Sequence, residues 1–378
     1  MRFADLVEQK ELQLKLANLA DTGKIPHAVL FSGMEGSGNL AMAYAFARLI
    51  LCDSPVANDA CNVCPNCKKT ATLTHPDVFF SFPYVKKDAT KDKHKTCNDF
   101  LEPWRKLLLS TPYPTEQDWK DSMDAKTKSP TIYISEIRDL HRRVGMRSYA
   151  GKKKILIMWM AERMGKEANS LLKLLEEPPN DTLFFLVSEE ESGILTTILS
   201  RCQRIFVPPP SVTSIVAYLQ KLHPDLSPDL LHSIAIASRR NMGLVQQLLS
   251  DNDDPFLDPI AKLIACALDN KAADMVELSE VLHAKGRQET IQLLYYGMEL
   301  MRAMHIYAHN GPLPDLPKAE SDFVRTFAGK IRKSSYPGIY QVFQDTLIGI
   351  ERNGSIKMGV LSMSIELNKL MNSNTNLN

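Results

Sequence analysis

"HAVLFSGMEGSGNLAMAYAFARLILC", residues 27–52, joins three readable pieces. "HAVLFSG" is a short apolar run ending at glycine, as in a buried parallel strand that enters a tight turn. Gly33, Gly36 and Gly38 follow with the spacing of a phosphate-binding loop, whose backbone N–H groups wrap phosphate oxygens. From Leu40 to about Leu51 the apolar residues spread broadly around the axis, as in a helix lying on a sheet. In a working loop a lysine then reaches the phosphates and a hydroxyl ligates Mg²⁺. Here Asn39 takes the lysine position and Leu40 the hydroxyl position. The backbone alone can hold an anion at a helix N-terminus, but it does not support γ-phosphoryl transfer. For the glycines alone, a generic tight turn is the alternative reading.

A second metal-binding position is expected as an acid at the end of a hydrophobic strand. The candidate, "KKILIMWM" (153–160), ends in Trp159 and Met160, and Glu162 comes only in the following "AERM". Two separate failures point to a lost nucleotide chemistry more strongly than one does.

Further strands are predicted in "DVFFSFPYV" (77–85), "TLFFLVSE" (182–189) and "QRIFVPPP" (203–210), with strand character at 131–133 giving way to a helix. Residues 8–20 form a helix with Leu12, Leu16 and Leu19 on one face, and "EANSLLKLLEEPP" (167–179) is a helix stopped by two prolines. This alternation predicts a mostly parallel, helix-covered sheet through residue 207. Residues 86–129 are polar and charged, with one helix near "DFLEPWRKLLL", and are expected to be a solvated insertion outside the core. Residues 211–250 show two or three short helices, and 257–370 are helical with no strand-like run. The predicted layout is an α/β domain at 1–207, a small helical domain at 208–252, a larger one at 253–370, and a polar tail at 371–378.

With 378 residues, 44% of them hydrophobic, the chain has enough apolar material for more than one core. Lys and Arg total 45 and Asp and Glu 44, so bulk charge selects no partner class. No run approaches the roughly 20 apolar residues of a membrane span. The first residues are charged and lack a signal-peptide core, so a soluble cytoplasmic protein is expected.

Four of the seven cysteines fall between Cys52 and Cys67: Cys52, then Cys61, Cys64 and Cys67 at x2 spacings. Four thiolates can surround a structural Zn²⁺ and leave no open catalytic position. An iron–sulfur cluster accepts the same donors. Free core thiols suit the stretch poorly, because "DSPVANDACNVCPNCKK" has little apolar sequence.

"FADLVEQ", "IPHAVLFSGMEGSGN", the four-cysteine module, "HPD" (75–77), "EIRDL" (136–140), "AERM", "NSLLKLLEEPP" and "ILSRCQRI" occur in that order. Together they resemble the subunits of the bacterial DNA polymerase III clamp loader, most closely the delta-prime kind, over residues 1 to about 207. The resemblance implies an AAA+ α/β module with a parallel sheet and an inserted four-cysteine zinc module, a helical lid and an all-helical collar. It also implies a hetero-oligomer of motor subunits and a clamp-opening delta-like subunit, which uses ATP to load the sliding clamp on primed DNA in DNA replication. A delta-prime-like member lacks ATPase activity and a functional ATP site, and donates an arginine to a neighbouring motor subunit. The matching serine–arginine–cysteine element is Ser200, Arg201 and Cys202, which makes Arg201 the implied arginine finger. An ATP-hydrolysing motor with a divergent site and a stand-alone zinc-containing DNA-binding protein are the alternatives. In "RRNMGLVQQ" (239–247) Gly243 falls where active relatives carry a sensing arginine, with Arg239 and Arg240 as possible substitutes. A basic stretch, "HRRVGMRSYAGKKK" (141–154), offers Arg142, Arg143, Arg147, Lys152, Lys153 and Lys154 to phosphates. Leu293, Leu294 and Tyr295 lie on long apolar faces suited to collar contacts.

Overall fold

In the computed structural model, β1 (Ala28–Ser32), β2 (Val78–Ser81), β3 (Lys154–Met158), β4 (Thr182–Ser188) and β5 (Gln203–Phe206) form one parallel sheet in the order β2-β3-β4-β1-β5. The structure describes all residues except 89–91, 126–127, 150–152, 250–255, 314–315 and 373–378. Lys91, Lys152 and most of the polar tail therefore lie outside the described residues.

Around the sheet run α1 (Lys10–Asp21), α2 (Asn39–Leu51), α3 (Pro65–Ala71), α4 (Leu101–Ser110), α5 (Glu116–Ser122), α6 (Ile134–Val144), α7 (Ala168–Glu176) and α8 (Thr196–Leu199). Successive strand residues point to opposite faces, which explains why the inner strands β1, β3 and β4 are largely apolar, whereas the edge strand β5 is mostly exposed. Val29, Phe31, Ile155, Ile157 and Phe185 pack with α2 in one core. Leu30, Leu156, Met158 and Phe184 pack with Ile137 and Leu140 of α6 and Leu171 of α7 in the other. This is the AAA+-type sheet core expected from the sequence. β2 stops at Ser81, short of the predicted end, because Pro83 has no N–H for the ladder; Tyr84 makes only an isolated antiparallel bridge to Thr131.

The expectation for residues 86–129 fails. α4 and α5 bring Trp104 and Trp119 into the first core with no exposed surface. Trp104 stacks on Phe82 at 4.3 Å and lies 5.2 Å from the Trp159 ring, and the Trp119 indole N–H donates to Pro83 O at 2.6 Å. Two tryptophans lead this burial, and the charged outer faces of two short helices hid it in the sequence.

Met1–Ser211 with Asn241–Leu244 forms one compact unit, and Val212–Arg240 with Val245–Asn378 forms a second. The second holds α9 (Val212–Leu222) and α10 (Pro228–Ala237), with α11 (Met242–Leu248) beginning in the first unit. It continues through α12 (Leu257–Asp269), α13 (Ala272–Lys285), α14 (Arg287–Ala308), α15 (Lys318–Ala328), α16 (Tyr336–Glu351) and α17 (Ile356–Asn372). Its interior is tied by the buried Glu320, which accepts from Ser233 of α10 at 2.7 Å and Tyr296 of α14 at 3.0 Å. Leu293 and Leu294 belong to this interior, and Tyr295 is covered by the Arg239 guanidinium, 3.6 Å from its ring.

Candidate functional site

Gly33 ends β1, and its N–H donates to Ser188 O at 3.3 Å. The chain then turns through Gly36 (φ +72°) and Gly38 (φ +92°), left-handed conformations that favour glycine, before α2 begins. Asn39 serves the loop itself. Its amide donates to Gly33 O at 2.8 Å and Ser188 O at 3.2 Å, and its carbonyl oxygen accepts from Ser37 Oγ at 2.6 Å. Leu40 is buried in the core. The two replaced positions thus hold the loop together from inside and present no group to a phosphate.

Residues distant in sequence pack closely against the loop's glycines. The Tyr113 hydroxyl accepts from the Val7 N–H at 2.9 Å, and a Cβ on Gly38 would come within 3.0 Å of the Tyr113 ring. A Cβ on Gly36 would collide with the Asn241 side chain, and the Met242 N–H donates to Gly36 O at 3.1 Å. Any side chain on Gly243 would run into Thr115 and into Tyr113 O, 2.9 Å from its first atom. The segment between α4 and α5 therefore spans from the N-terminal stretch to the loop, and it leaves no room for a side chain at Gly243. Arg239, one possible substitute, is engaged within the second unit by Tyr295 and Glu351.

Burial holds the Glu189 carboxyl well above the usual carboxylate range, reinforced by Glu35, Glu162 and Glu116. Burial likewise raises Glu162, whose Oε1 accepts the Glu189 N–H at 3.3 Å. Gly243→Arg is expected to lower stability by about 1–3 kcal/mol through overpacking, read as a fall in the thermal midpoint.

The four cysteines meet as the spacing demanded. The Sγ atoms of Cys52, Cys61, Cys64 and Cys67 all lie within 4.8 Å of one another, and Cys61 and Cys67 are 3.9 Å apart. A tetrahedron with Zn–S of about 2.3 Å has edges of about 3.8 Å, so the donor set fits Zn²⁺. Backbone N–H groups point at three of the sulfurs: Cys61 N to Cys52 Sγ at 3.3 Å, Cys64 N to Cys61 Sγ at 3.4 Å and Cys67 N to Cys64 Sγ at 3.3 Å. The N–H groups of Val63 and Cys64 bring the Cys61 thiol down to about 6. Burial pushes Cys52 and Cys67 upward, a cost that a bound cation offsets. Cys64 caps α3 and Pro65 sets its first turn, which folds Cys67 back toward the other thiolates.

Sequence reasoning missed the support for this centre. Tyr44, Arg48 and Cys52 recur every four residues, and so face the same side of α2. The buried Arg48 donates to Asn62 Oδ1 at 2.8 Å, Met1 O at 2.6 Å and Cys67 O at 3.4 Å, while the Tyr44 hydroxyl donates to Thr70 O. Zn²⁺ with four thiolates would carry a double negative charge, and Arg48 is the buried cation beside it. Cys202 stands apart from the cluster, and burial lifts its thiol to about 11.

Arg201 follows α8. Its guanidinium donates to Thr197 O at 2.8 Å and to Glu176 Oε1, at the end of α7, at 2.6 Å. "LLKLLEE" and "SRC" therefore meet in space.

Residues 8–211, more than half of the chain, match the family model described as "DNA polymerase III, delta subunit". The chain belongs to the DNA polymerase III clamp-loader family. Its members here include delta-prime, tau and gamma subunits. The chain is similar to the DNA polymerase III subunit delta' of Pseudomonas aeruginosa, 30% identical over 56% of this chain and 52% of that one. The Escherichia coli subunit delta' is 28% identical over 55% of this chain and 50% of its own length. That of Bacillus subtilis is 28% identical over 74% and 67%. The chain thus spans about half the length of the first two curated relatives it matches. No helix among the described residues of this clamp-loader family member is long and apolar enough to cross a membrane.

Proposed function

We propose that the chain is a non-hydrolysing, delta-prime-like subunit of a DNA polymerase III clamp loader. On this reading residues 1–207 are the AAA+ domain, 208–252 the lid, 253–370 the collar, and the assembly works in the cytoplasm. The observation that carries the proposal is the filled phosphate loop: Tyr113 lies against Gly38 and Asn241 against Gly36, with neither lysine nor hydroxyl at Asn39 and Leu40. A chain that seals its own nucleotide site serves the assembly by other means. Arg201 is partly exposed and held only by Thr197 O, Ser200 and the surface carboxylate of Glu176, and a guanidinium offered in trans would stabilise charge on a neighbour's transferring phosphoryl group. Partners on this reading are the motor subunits, the clamp-opening subunit and, through the complex, the sliding clamp and primed DNA.

The purified full chain is expected to show no saturable binding of a fluorescent ATP analogue and no phosphate release with Mg²⁺. Metal-dependent turnover abolished by Gly38→Val would instead establish a divergent motor subunit.

A further inference from the structure

The basic stretch at 141–154 divides in two. Arg143 is buried and taken up by Glu136 at 2.8 Å and Asp139 at 2.7 Å, and the buried Lys154 donates to Val144 O and, at 2.7 Å, to Met146 O. These two cations build the protein. Between them the chain displays Met146, Arg147 and Tyr149 to solvent.

Tyr149 is 76% exposed, the highest value among the large apolar and aromatic side chains described. Leaving such a ring in water forgoes the gain of burying it. Its backbone is nonetheless fixed. The Tyr149 N–H donates to Asp77 Oδ1 at 2.7 Å, and Ser148 Oγ donates to Asp77 Oδ2 at 3.1 Å. Asp77 is itself buried at the root of β2, and its N–H donates to His75 Nδ1 at 3.2 Å. The other ring nitrogen of His75 pairs with Asn66 Oδ1 of α3 at 3.1 Å. The "HPD" motif thus ties this loop to the cysteine module, and Lys154 ties its other side to the end of α6.

The buried Asp77 carboxylate holds the backbone from below, while the charged groups that face the exposed ring and its neighbours are cations. Lys69 of α3 places its ammonium 5.2 Å from the Tyr149 ring centroid. Arg147 is exposed and forms no ion pair among the described residues, whereas Arg142 and Lys153 already face Asp139 and Asp181. An aromatic face held still among cations is the arrangement that binds unpaired nucleotides. The ring stacks on a base of any identity, and the cations meet the adjacent phosphates. A duplex offers the phosphates and hides the base faces.

We infer that Tyr149, with Lys69 and Arg147, is a stacking site for single-stranded polynucleotide, a site that neither the family match nor the proposed role assigns to these residues. It stands independently of the Arg201 reading and of the sealed phosphate loop, so it can fail without either of them.

The test uses the full chain and fluorescein-labelled oligothymidylate, oligouridylate and a duplex of equal length, followed by anisotropy between about 50 and about 200 mM salt. Both single strands are expected to bind more tightly than the duplex, and a preference between them identifies DNA or RNA as the strand taken. Tyr149→Ala should weaken single-strand binding by roughly five- to a hundredfold, with Tyr149→Phe and Tyr149→Trp near wild type because the ring, not the hydroxyl, does the binding. Arg147→Ala should lower the salt slope by about 0.7. Since Tyr149 is exposed, its variants should unfold at the wild-type temperature. The inference is overturned by absence of single-strand binding at low salt, by equal binding of duplex, or by a Tyr149→Ala chain that binds like wild type. It is also overturned if Tyr149→Ala instead weakens association with another clamp-loader subunit, which would make this a protein contact.

Discussion

Replacing Arg201 with alanine is expected to lower DNA-stimulated ATP turnover of the assembled complex by about a thousandfold or more at the neighbouring motor site, the scale of other trans-acting arginines. Assembly and the thermal midpoint of this chain should stay unchanged. The reason lies in what holds the side chain. Arg201 is paired with Glu176 at 2.6 Å, but both side chains are more than a third exposed, 36% and 47%. Surface pairs of this kind contribute roughly 0–1 kcal/mol, so a phosphoryl group with more charge and less water around it displaces Glu176 at small cost. Removing the pair therefore costs the fold little, and under the proposed finger role removing the guanidinium would cost the neighbour a charge at its transition state. Arg201→Lys keeps the charge but loses the planar fork, and should recover only part of the turnover. Measurement is by phosphate release from the reconstituted complex with primed DNA. Unchanged hydrolysis in Arg201→Ala rejects the finger and leaves the sealed loop standing, because Tyr113 and Asn241 fill that loop whatever Arg201 does.

The inner strands β1, β3 and β4 were legible because burial on both faces forces nearly continuous apolar runs, and the cysteine module because metal geometry forces close spacing. The boundaries were less so. Pro83 cut β2 short, a consequence of a missing donor that the aromatic run "FFSFPYV" obscured. The defect in the phosphate loop was also legible, but its cause was not. Asn39 looks like a loss in sequence, whereas in space its amide closes the loop on Gly33 and Ser188. Tyr113 and Asn241 are far from the loop in sequence, and no local pattern reports a contact made across such a separation. Residues 101, 104 and 108 did carry a signal, since Leu101, Trp104 and Leu108 recur at helical spacing. The charges between them outweighed it. Gly243 gained a meaning that an absent arginine alone did not give it: the position has no room.

Stripping the metal should produce the largest change in the chain's own stability. The stretch 53–64 has almost no apolar core; Ala60 is buried there with Cys52 and Cys67, and the rest is turn and solvent. Metal binding must therefore supply the folding energy of this segment, and apparent values for Zn²⁺ in small peptides reach about 10–16 kcal/mol. Here the sheet has separate cores on both faces, so the loss should remain local. A strong chelator is expected to release about one zinc per chain and to abolish hydrogen-exchange protection at the amides of Cys61, Cys64 and Cys67, which point at sulfur. Protection in β1, β3 and β4 should persist. Cys67→Ala should do the same without chelator, since Cys67 is fully buried and its carbonyl receives Arg48. The effect should then spread one step further. With the loop gone, the buried Arg48 loses Asn62 and the thiolate charge beside it and keeps only neutral acceptors such as Met1 O and Thr70 Oγ1, so the C-terminal half of α2 should loosen next. Cys202→Ser should leave zinc content intact, because that thiol is no part of the cluster. Visible absorption from iron and sulfide in the purified chain would assign the four thiolates to a cluster. Exchange unaltered by chelator, with no metal present, would mean that the thiols hold this loop unaided.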